Sequence, residues 1–280
     1  MKVRFAYFSG TGNTMRVAET VRSEMEKRAV PTDSFVVSDG VETMDDDFNV
    51  LVLSYPVYGF NPPANFLSFV KNIPDGNSRP FYILKSSGEP LKLNNSSSLR
   101  IIKILVKKGY VFKKEYHVVM PYNMIFRHSD GMASRLLNVL KIRAPFIADE
   151  IVSLEESPLR ASLMARLTSV VCRVQFPFYR VNTRLLFKVD TDKCVRCMAC
   201  VKNCPRSNIE FRDGKFVFGN NCVGCVRCSF SCPVDAFKIG LLEPMHVNGR
   251  YNFDADFSSD TVCAFCKNDY EKYFSLYEKQ

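Results

Sequence analysis

Eight of the chain's eleven cysteines fall into two runs that leave little freedom in what this region can become. Cys194, Cys197, Cys200 and Cys204, followed by Pro205, have the spacing C-x2-C-x2-C-x3-C-P, and Cys222, Cys225, Cys228 and Cys232, followed by Pro233, repeat it 28 residues later. One offset held across four cysteines and a proline means an internal duplication, so two similar lobes about an approximate two-fold axis are expected. Three cysteines on one tight loop reach three irons of a cubane, while the fourth, carried off along a short helix, serves the other cubane. The spacing therefore predicts two [4Fe-4S] clusters. Cys194, Cys197, Cys200 and Cys232 would hold the first, and Cys222, Cys225, Cys228 and Cys204 the second. Cysteine quartets also bind tetrahedral zinc, but two tight runs that each close on proline favour cubanes. Between the runs, Ile209, Phe211, Phe216 and Phe218 flank Asp213-Gly214, a hairpin pattern that would cover one cluster with apolar surface.

A disulfide scaffold is the other use of so many cysteines, but such scaffolds belong to short exported chains. This chain has 280 residues, 46% of them apolar, which is enough for two cores. It opens MKVRFAYFSG, a strand meeting a glycine turn without the apolar core of a signal peptide, so a cytoplasmic chain starting at this point is expected. The longest stretch without charge, Phe48 to Val70, is interrupted by Pro56, Gly59, Pro62 and Pro63 and does not read as a membrane span. The formal charge of +9 overstates the basicity of a holoprotein, because thiolate-bound clusters and a bound phosphate add negative charge. Nucleic acid is not an expected partner. Residues 98–187 hold fifteen Lys and Arg against six Asp and Glu, which places a basic face near the domain junction.

The N-terminal region reads as alternating strands and helices. Val3 to Phe8 is an apolar strand, Ser9-Gly10-Thr11-Gly12-Asn13-Thr14 a polar turn, and Met15, Ala18, Val21 and Met25 recur at helical spacing. Such a turn suits a phosphate, because glycines let the backbone fold around an anion and the helix start offers free N–H groups. Val50 to Leu53 forms a second strand ending in Tyr55-Pro56-Val57-Tyr58-Gly59, followed by a helix opened by Pro62 and Pro63. Phe81 to Leu84 runs into Ser86-Ser87-Gly88-Glu89, Ser96 to Lys108 is an amphipathic helix, and Tyr116 to Met120 and Phe35 to Val37 complete five strands. An α/β fold with a five-stranded parallel sheet follows, with its distinctive loops at the carboxyl edge where ligands bind.

On Ser9, Thr11, Gly12, Asn13 and Thr14, residues 1–156 resemble flavodoxin, whose phosphate loop reads T/S-x-T-G-N-T. The resemblance implies strand order 2-1-3-4-5 and bound FMN. By it, Ser9 to Thr14 hold the phosphate, Tyr55 to Gly59 flank the isoalloxazine ring with Tyr58 stacking, and Ser86, Ser87 and Gly88 approach the other edge. Tryptophan, a common stacking residue in flavodoxins, is absent from the chain. Residues 187–240 resemble the bacterial two-cluster ferredoxins, an α+β domain, at all eight ligand positions. The order of the two parts resembles flavodoxin–ferredoxin fusion proteins, in which Met120-Pro121-Tyr122-Asn123 also has a counterpart. That likeness implies electron transfer with redox partner proteins, or alternatively reduction of a small molecule such as a quinone or nitro compound.

Between the two parts, residues 157–186 read as one basic amphipathic helix. Leu163, Leu167, Val170 and Val174 form its stripe, Arg166, Arg173 and Arg180 lie to one side, and no acidic residue falls between Ser157 and Phe187. Docking of the stripe on the flavodoxin-like part is the leading expectation, with peripheral membrane contact or an acidic partner as alternatives. Cys172 reads as a small buried residue beside the stripe. The tail, residues 241–280, carries Cys263 and Cys266, for which a zinc site with His246, a redox dithiol or ordinary thiols all stand open. His117 and His128 read as ordinary strand and loop residues. No hydrolytic nucleophile constellation and no second G-x-G-x-x-G turn is present.

Overall fold

The computed structural model describes residues 1–38, 43–257 and 266–278. Strands apolar on both faces belong in a parallel sheet covered on each side by helices, and β1 (Val3–Tyr7), β2 (Thr32–Val36), β3 (Val50–Pro56), β4 (Pro80–Ser87) and β5 (Val111–Val119) form one. They pair in parallel in the order β2-β1-β3-β4-β5, the flavodoxin-like arrangement. The central strands β1, β3 and β4 are buried almost throughout, and the two edge strands are the more polar ones.

Helices α1 (Asn13–Lys27), α2 (Ala64–Asn72), α3 (Leu99–Lys107) and α4 (Asp130–Val152) cover the sheet. Strand side chains alternate between its faces. Val3, Phe5, Val52 and Leu84 meet α1 and α4, while Ala6, Leu51, Leu53 and Ile83 meet α2 and α3. Each of these side chains other than Ala6 contributes about 1.5–3 kcal/mol through burial. Ser129 caps α4 by accepting from the Met132 N–H at 3.0 Å, and the helix continues through Pro145.

The junction differs from the single helix expected over residues 157–186. It is α5 (Leu163–Val171), a 3-10 turn at Cys172–Val174, and α6 (Gln175–Leu186). Its orientation is also the reverse of a docked stripe. Leu163, Leu167, Val170 and Val174 are exposed, whereas Ala165 and Ser169 are buried. The small face wins because it lets Asn61, in the loop after β3, approach closely enough for two hydrogen bonds. Asn61 Nδ2 donates to the Ser169 carbonyl at 2.9 Å, and the Ser169 hydroxyl donates to Asn61 Oδ1 at 3.1 Å. Cys172 is half-buried.

The cysteine region contains β6 (Phe187–Val189), α7 (Ala199–Lys202), β7 (Ile209–Arg212), β8 (Lys215–Phe218), α8 (Arg227–Phe230) and β9 (Phe237–Ile239). The expected hairpin joins β7 to β8 around Asp213-Gly214, and β6 pairs antiparallel with β9. Advancing β6, α7 and β7 by the 28-residue repeat lands on β8, α8 and β9, so the first strand of each repeat pairs with the last strand of the other. The duplication extends to the backbone. Positive φ angles recur at Arg196 and Gly224 (51° and 70°), Met198 and Val226 (58° and 48°), and Ser207 and Asp235 (46° and 48°).

Beyond β9 the chain returns to the sheet domain. In α9 (Lys267–Tyr277), Tyr270, Tyr273 and Phe274 pack with Val119, Met132, Leu136 and Val139, and Cys266 is buried among them. Cys263 lies outside the described residues. His246 stands beside Asp235, with Nε2 3.5 Å from its carboxylate.

Candidate functional site

β1 ends at Tyr7 and α1 begins at Asn13, which puts the Ser9–Gly12 turn at the carboxyl edge of the sheet. The Gly12 N–H donates to Ser9 Oγ at 3.1 Å. No side chain caps α1 and no acidic residue stands in its first turn, so the N–H groups there are available to an anion. Neighbouring loops are tied to this turn. Asn13 Nδ2 donates to the Pro121 carbonyl at 2.7 Å, Asn123 Nδ2 donates to Thr11 Oγ1, and the Thr14 and Ser86 hydroxyls lie 2.8 Å apart.

Together these loops enclose a cavity of about 310 Å³. Of the residues expected there, Ser9, Gly10, Thr11, Asn13 and Thr14 line it, with Pro56, Val57, Tyr58 and Gly59 on one side and Ser86, Ser87 and Gly88 on another. Gly12 serves as the start of α1 and is not in the wall. Tyr55 is the clear correction. It is 0% exposed and points into the core against Phe66, with its hydroxyl 2.7 Å from Ser98 Oγ. Ser98 in turn donates to Glu115, the partner of buried Lys85, so Tyr55 belongs to a polar network below the sheet edge. Strand alternation sends Tyr55 inward and leaves Tyr58, beyond the end of β3, at the cavity.

The cavity also has a wall that sequence reasoning missed. Tyr179 of α6 and Gly224, Cys225 and Val226 of the second cysteine run close it. Contact is tight at several glycines, Gly10 and Gly224 among them. A Cβ on Gly10 would stand 2.8 Å from the Cys225 carbonyl oxygen and 2.8 Å from the Tyr58 hydroxyl, and one on Gly224 would stand 2.5 Å from the Tyr179 ring. Arg227 fastens the two parts together. Its Nε donates to the Gly10 carbonyl at 2.6 Å, Nη2 to the Ser9 carbonyl at 2.6 Å, and Nη1 to the Asn203 carbonyl at 2.8 Å. Gln175 adds a bond from Nε2 to the Tyr58 carbonyl at 2.9 Å and accepts from the Tyr179 hydroxyl at 3.2 Å. Arg227 and Gln175 lie within recognisable elements, but only their cross-domain partners reveal this role.

Two further cavities sort the cysteines. One is lined by Cys194, Cys197, Cys200, Cys232 and Cys228, and the other by Cys204, Cys222, Cys225 and Cys228. Cys204 and Cys232 thus each face the cavity of the opposite run. Among the described residues no three of His, Cys, Asp or Glu are gathered closely enough to hold one ion. A cubane instead takes one thiolate at each iron. Backbone N–H groups point at the sulfurs with the same repeat, Arg196 to Cys194 at 3.4 Å and Gly224 to Cys222 at 3.4 Å, then Asn208 to Cys204 at 3.3 Å and Ala236 to Cys232 at 3.3 Å. Such donors stabilise thiolate charge and tune a cluster's potential. Burial pushes the Cys225 thiol up to about 12 and raises the Cys228 thiol as well, so an ionised sulfur at either position is costly without a positive charge beside it.

The remaining titratable groups near the cavity are partly or fully buried and hydrogen-bonded. Glu89 lines it and accepts from the Tyr122 hydroxyl at 2.5 Å, and burial raises its carboxyl above the ordinary range. His128 Nδ1 accepts from the Tyr122 N–H at 3.2 Å, and burial pulls its imidazole down to about 4. His117 Nε2 meets the Ser87 hydroxyl at 2.7 Å, and burial also lowers its basicity. Burial thus favours the neutral imidazole at both positions.

A parallel sheet in the order 2-1-3-4-5 followed by a duplicated cysteine fold fits a flavodoxin–ferredoxin fusion. Residues 186–209 match the family described as 4Fe-4S binding domain. The polyferredoxin protein MvhB of Methanothermobacter marburgensis is 34% identical over 71 residues, which cover 24% of this chain. The chain spans only 17% of the length of that curated relative. Among solved structures, Megasphaera elsdenii flavodoxin is 18% identical, covering 42% of this chain and 85% of its own, with a TM-score of 0.36. A Fusobacterium nucleatum flavodoxin mutant bound to flavin mononucleotide is 21% identical, covering 40% and 66%, with a TM-score of 0.33.

Proposed function

We propose that this chain is a cytoplasmic electron-transfer protein that holds two [4Fe-4S] clusters and one FMN and exchanges electrons with redox partner proteins. FMN supplies one- or two-electron chemistry and each cluster one-electron chemistry, so a chain holding both connects carriers of the two kinds. The observation that carries this reading is Cys225, a second-run cysteine that lines the same cavity as the Ser9–Thr14 loop. In this reading the Ser9–Thr14 turn and the start of α1 bind the phosphate, Tyr58 and Gly59 form one side of the ring site, and Ser86 to Gly88 form another. Cys194, Cys197, Cys200 and Cys232 hold the first cluster, and Cys222, Cys225, Cys228 and Cys204 the second. Arg227 and the absence of a side chain at Gly10 keep the second cysteine loop against the cavity, where it also excludes water.

No described helix is long and apolar enough to cross a membrane. The test is chemical analysis after anaerobic reconstitution, with about eight irons, about eight sulfides and about one FMN expected per chain. Four irons, or FAD in place of FMN, would overturn the reading.

A further inference from the structure

Helix α5 is turned inside out relative to an ordinary surface helix, which buries its apolar stripe. In α5 the large apolar residues Leu163, Met164, Leu167, Val170 and Val171 are exposed, with Leu163 at 72% and Val171 at 71%. Val174, after α5, is exposed as well at 69%. The inward positions of α5, Ala165 and Ser169, are small, and in α6 Asn182 and Thr183 face in beside Tyr179. Ser169 pairs with Asn61, and in α6 Asn182 Nδ2 donates to the Ile239 carbonyl at 3.0 Å while its Oδ1 accepts from the Leu241 N–H at 3.0 Å. Val181 and Leu185 extend the outward apolar surface along α6.

At about 100° per residue, Leu163 to Val174 place their apolar side chains in one arc about 120° wide, with Arg166 and Arg173 along one edge. Arg160, Arg166, Arg180 and Arg184 are exposed, and no acidic residue falls between Glu156 and Asp190. Arg100, from α3, lies close enough to Arg173 for their charges to repel. The positive charge of this surface therefore has no counter-charge within its own segment. Its crest is aliphatic and lacks the aromatic anchors that dominate protein–protein hot spots. An aliphatic crest beside an arginine edge, on a helix about 14 Å long, suits insertion into the boundary between lipid headgroups and acyl chains rather than a span.

We propose that α5 and α6 form a peripheral docking surface for an anionic lipid bilayer, with the crest from Leu163 to Val174 entering the interface and the arginines meeting acidic headgroups. This goes beyond the redox reading and does not depend on it. None of the exposed side chains of this surface lines the cavity or belongs to the cysteine runs.

The test is flotation of the reconstituted full chain with vesicles of phosphatidylcholine alone or containing roughly a third phosphatidylglycerol. Partition should be at least about tenfold greater on the anionic vesicles and should fall with added salt. Leu167→Glu with Val171→Glu should lower it by at least about tenfold while leaving the circular dichroism and cluster absorbance unchanged, because both side chains are exposed. Arg166→Gln with Arg180→Gln should weaken it by about fivefold per arginine. Absence of vesicle binding by the intact chain, or equal binding by the double glutamate variant, overturns the proposal. So does self-association in light scattering that the glutamates abolish while vesicles bind nothing, since the face is then a contact between protein surfaces.

Discussion

Replacing Arg227 by alanine removes the bonds that hold the second cysteine loop against the phosphate-type turn. The guanidinium makes hydrogen bonds to three main-chain carbonyls, and those to Ser9 and Gly10 cross the junction at 2.6 Å each. A hydrogen bond from a charged donor contributes about 1.5–3 kcal/mol, but Arg227 is only half-buried and its freed charge is hydrated when the junction opens. About 2 kcal/mol for the pair is a reasonable magnitude, which raises the opening equilibrium by roughly 30-fold. Val223 and Gly224 are buried at the junction, so amide hydrogen exchange across residues 223–226 reads that equilibrium directly. Arg227→Ala should speed exchange there by roughly 30-fold. Arg227→Lys should fall between the two, because a single ammonium cannot reproduce the planar fork. Exchange within about twofold of wild type in both variants would show that Arg227 does not hold the junction.

Gly10→Ala should open the same junction by about 1–3 kcal/mol, because the new methyl meets the Cys225 backbone, and the same exchange measurement checks it. Cys204→Ser should damage the second cluster more than the first although it lies in the first run, which electron paramagnetic resonance of the reduced protein can resolve. Buried His128 stays neutral in the fold until about pH 4 but takes up a proton below about 6.5 when unfolded, so its contribution to stability is present at pH 7 and is lost as pH falls. Denaturant midpoints should show a loss of about 2 kcal/mol from this group by pH 5, and His128→Asn should shrink the pH dependence, with His117 supplying a remainder of the same sign.

The strands of the sheet and both cysteine runs were legible because their signals are local, whereas the strand order followed only from the resemblance carried by Ser9 to Thr14. An apolar strand, a glycine turn and a helical repeat lie next to one another in residues 3–25, and the ligand spacing carries its own chemistry. Tyr55 was not legible. β3 is buried on both faces, so Val50 to Tyr55 show no apolar–polar alternation from which a facing could be read. The orientation of α5 failed for a related reason, since periodicity reveals that a helix has an apolar side but not whether this chain covers it. Asn61 and Ser169 decide that, and they are 108 residues apart. Helix α4 is apolar around much of its circumference and contains Pro145, which weakens both its periodicity and its continuity as a sequence pattern. The cavity wall built by Tyr179, Gly224 and Cys225 exists only once the two parts are packed together.

The central claim is that the second cysteine run and the phosphate-type loop form one site within a single chain. Rapid anaerobic reduction by a one-electron donor, with cluster and flavin absorbance followed over a wide range of protein concentration, tests it most directly. The account predicts redistribution of electrons between the two absorbances at a rate independent of concentration, because both centres are carried on one docked chain. A rate that rises in proportion to protein concentration would contradict it.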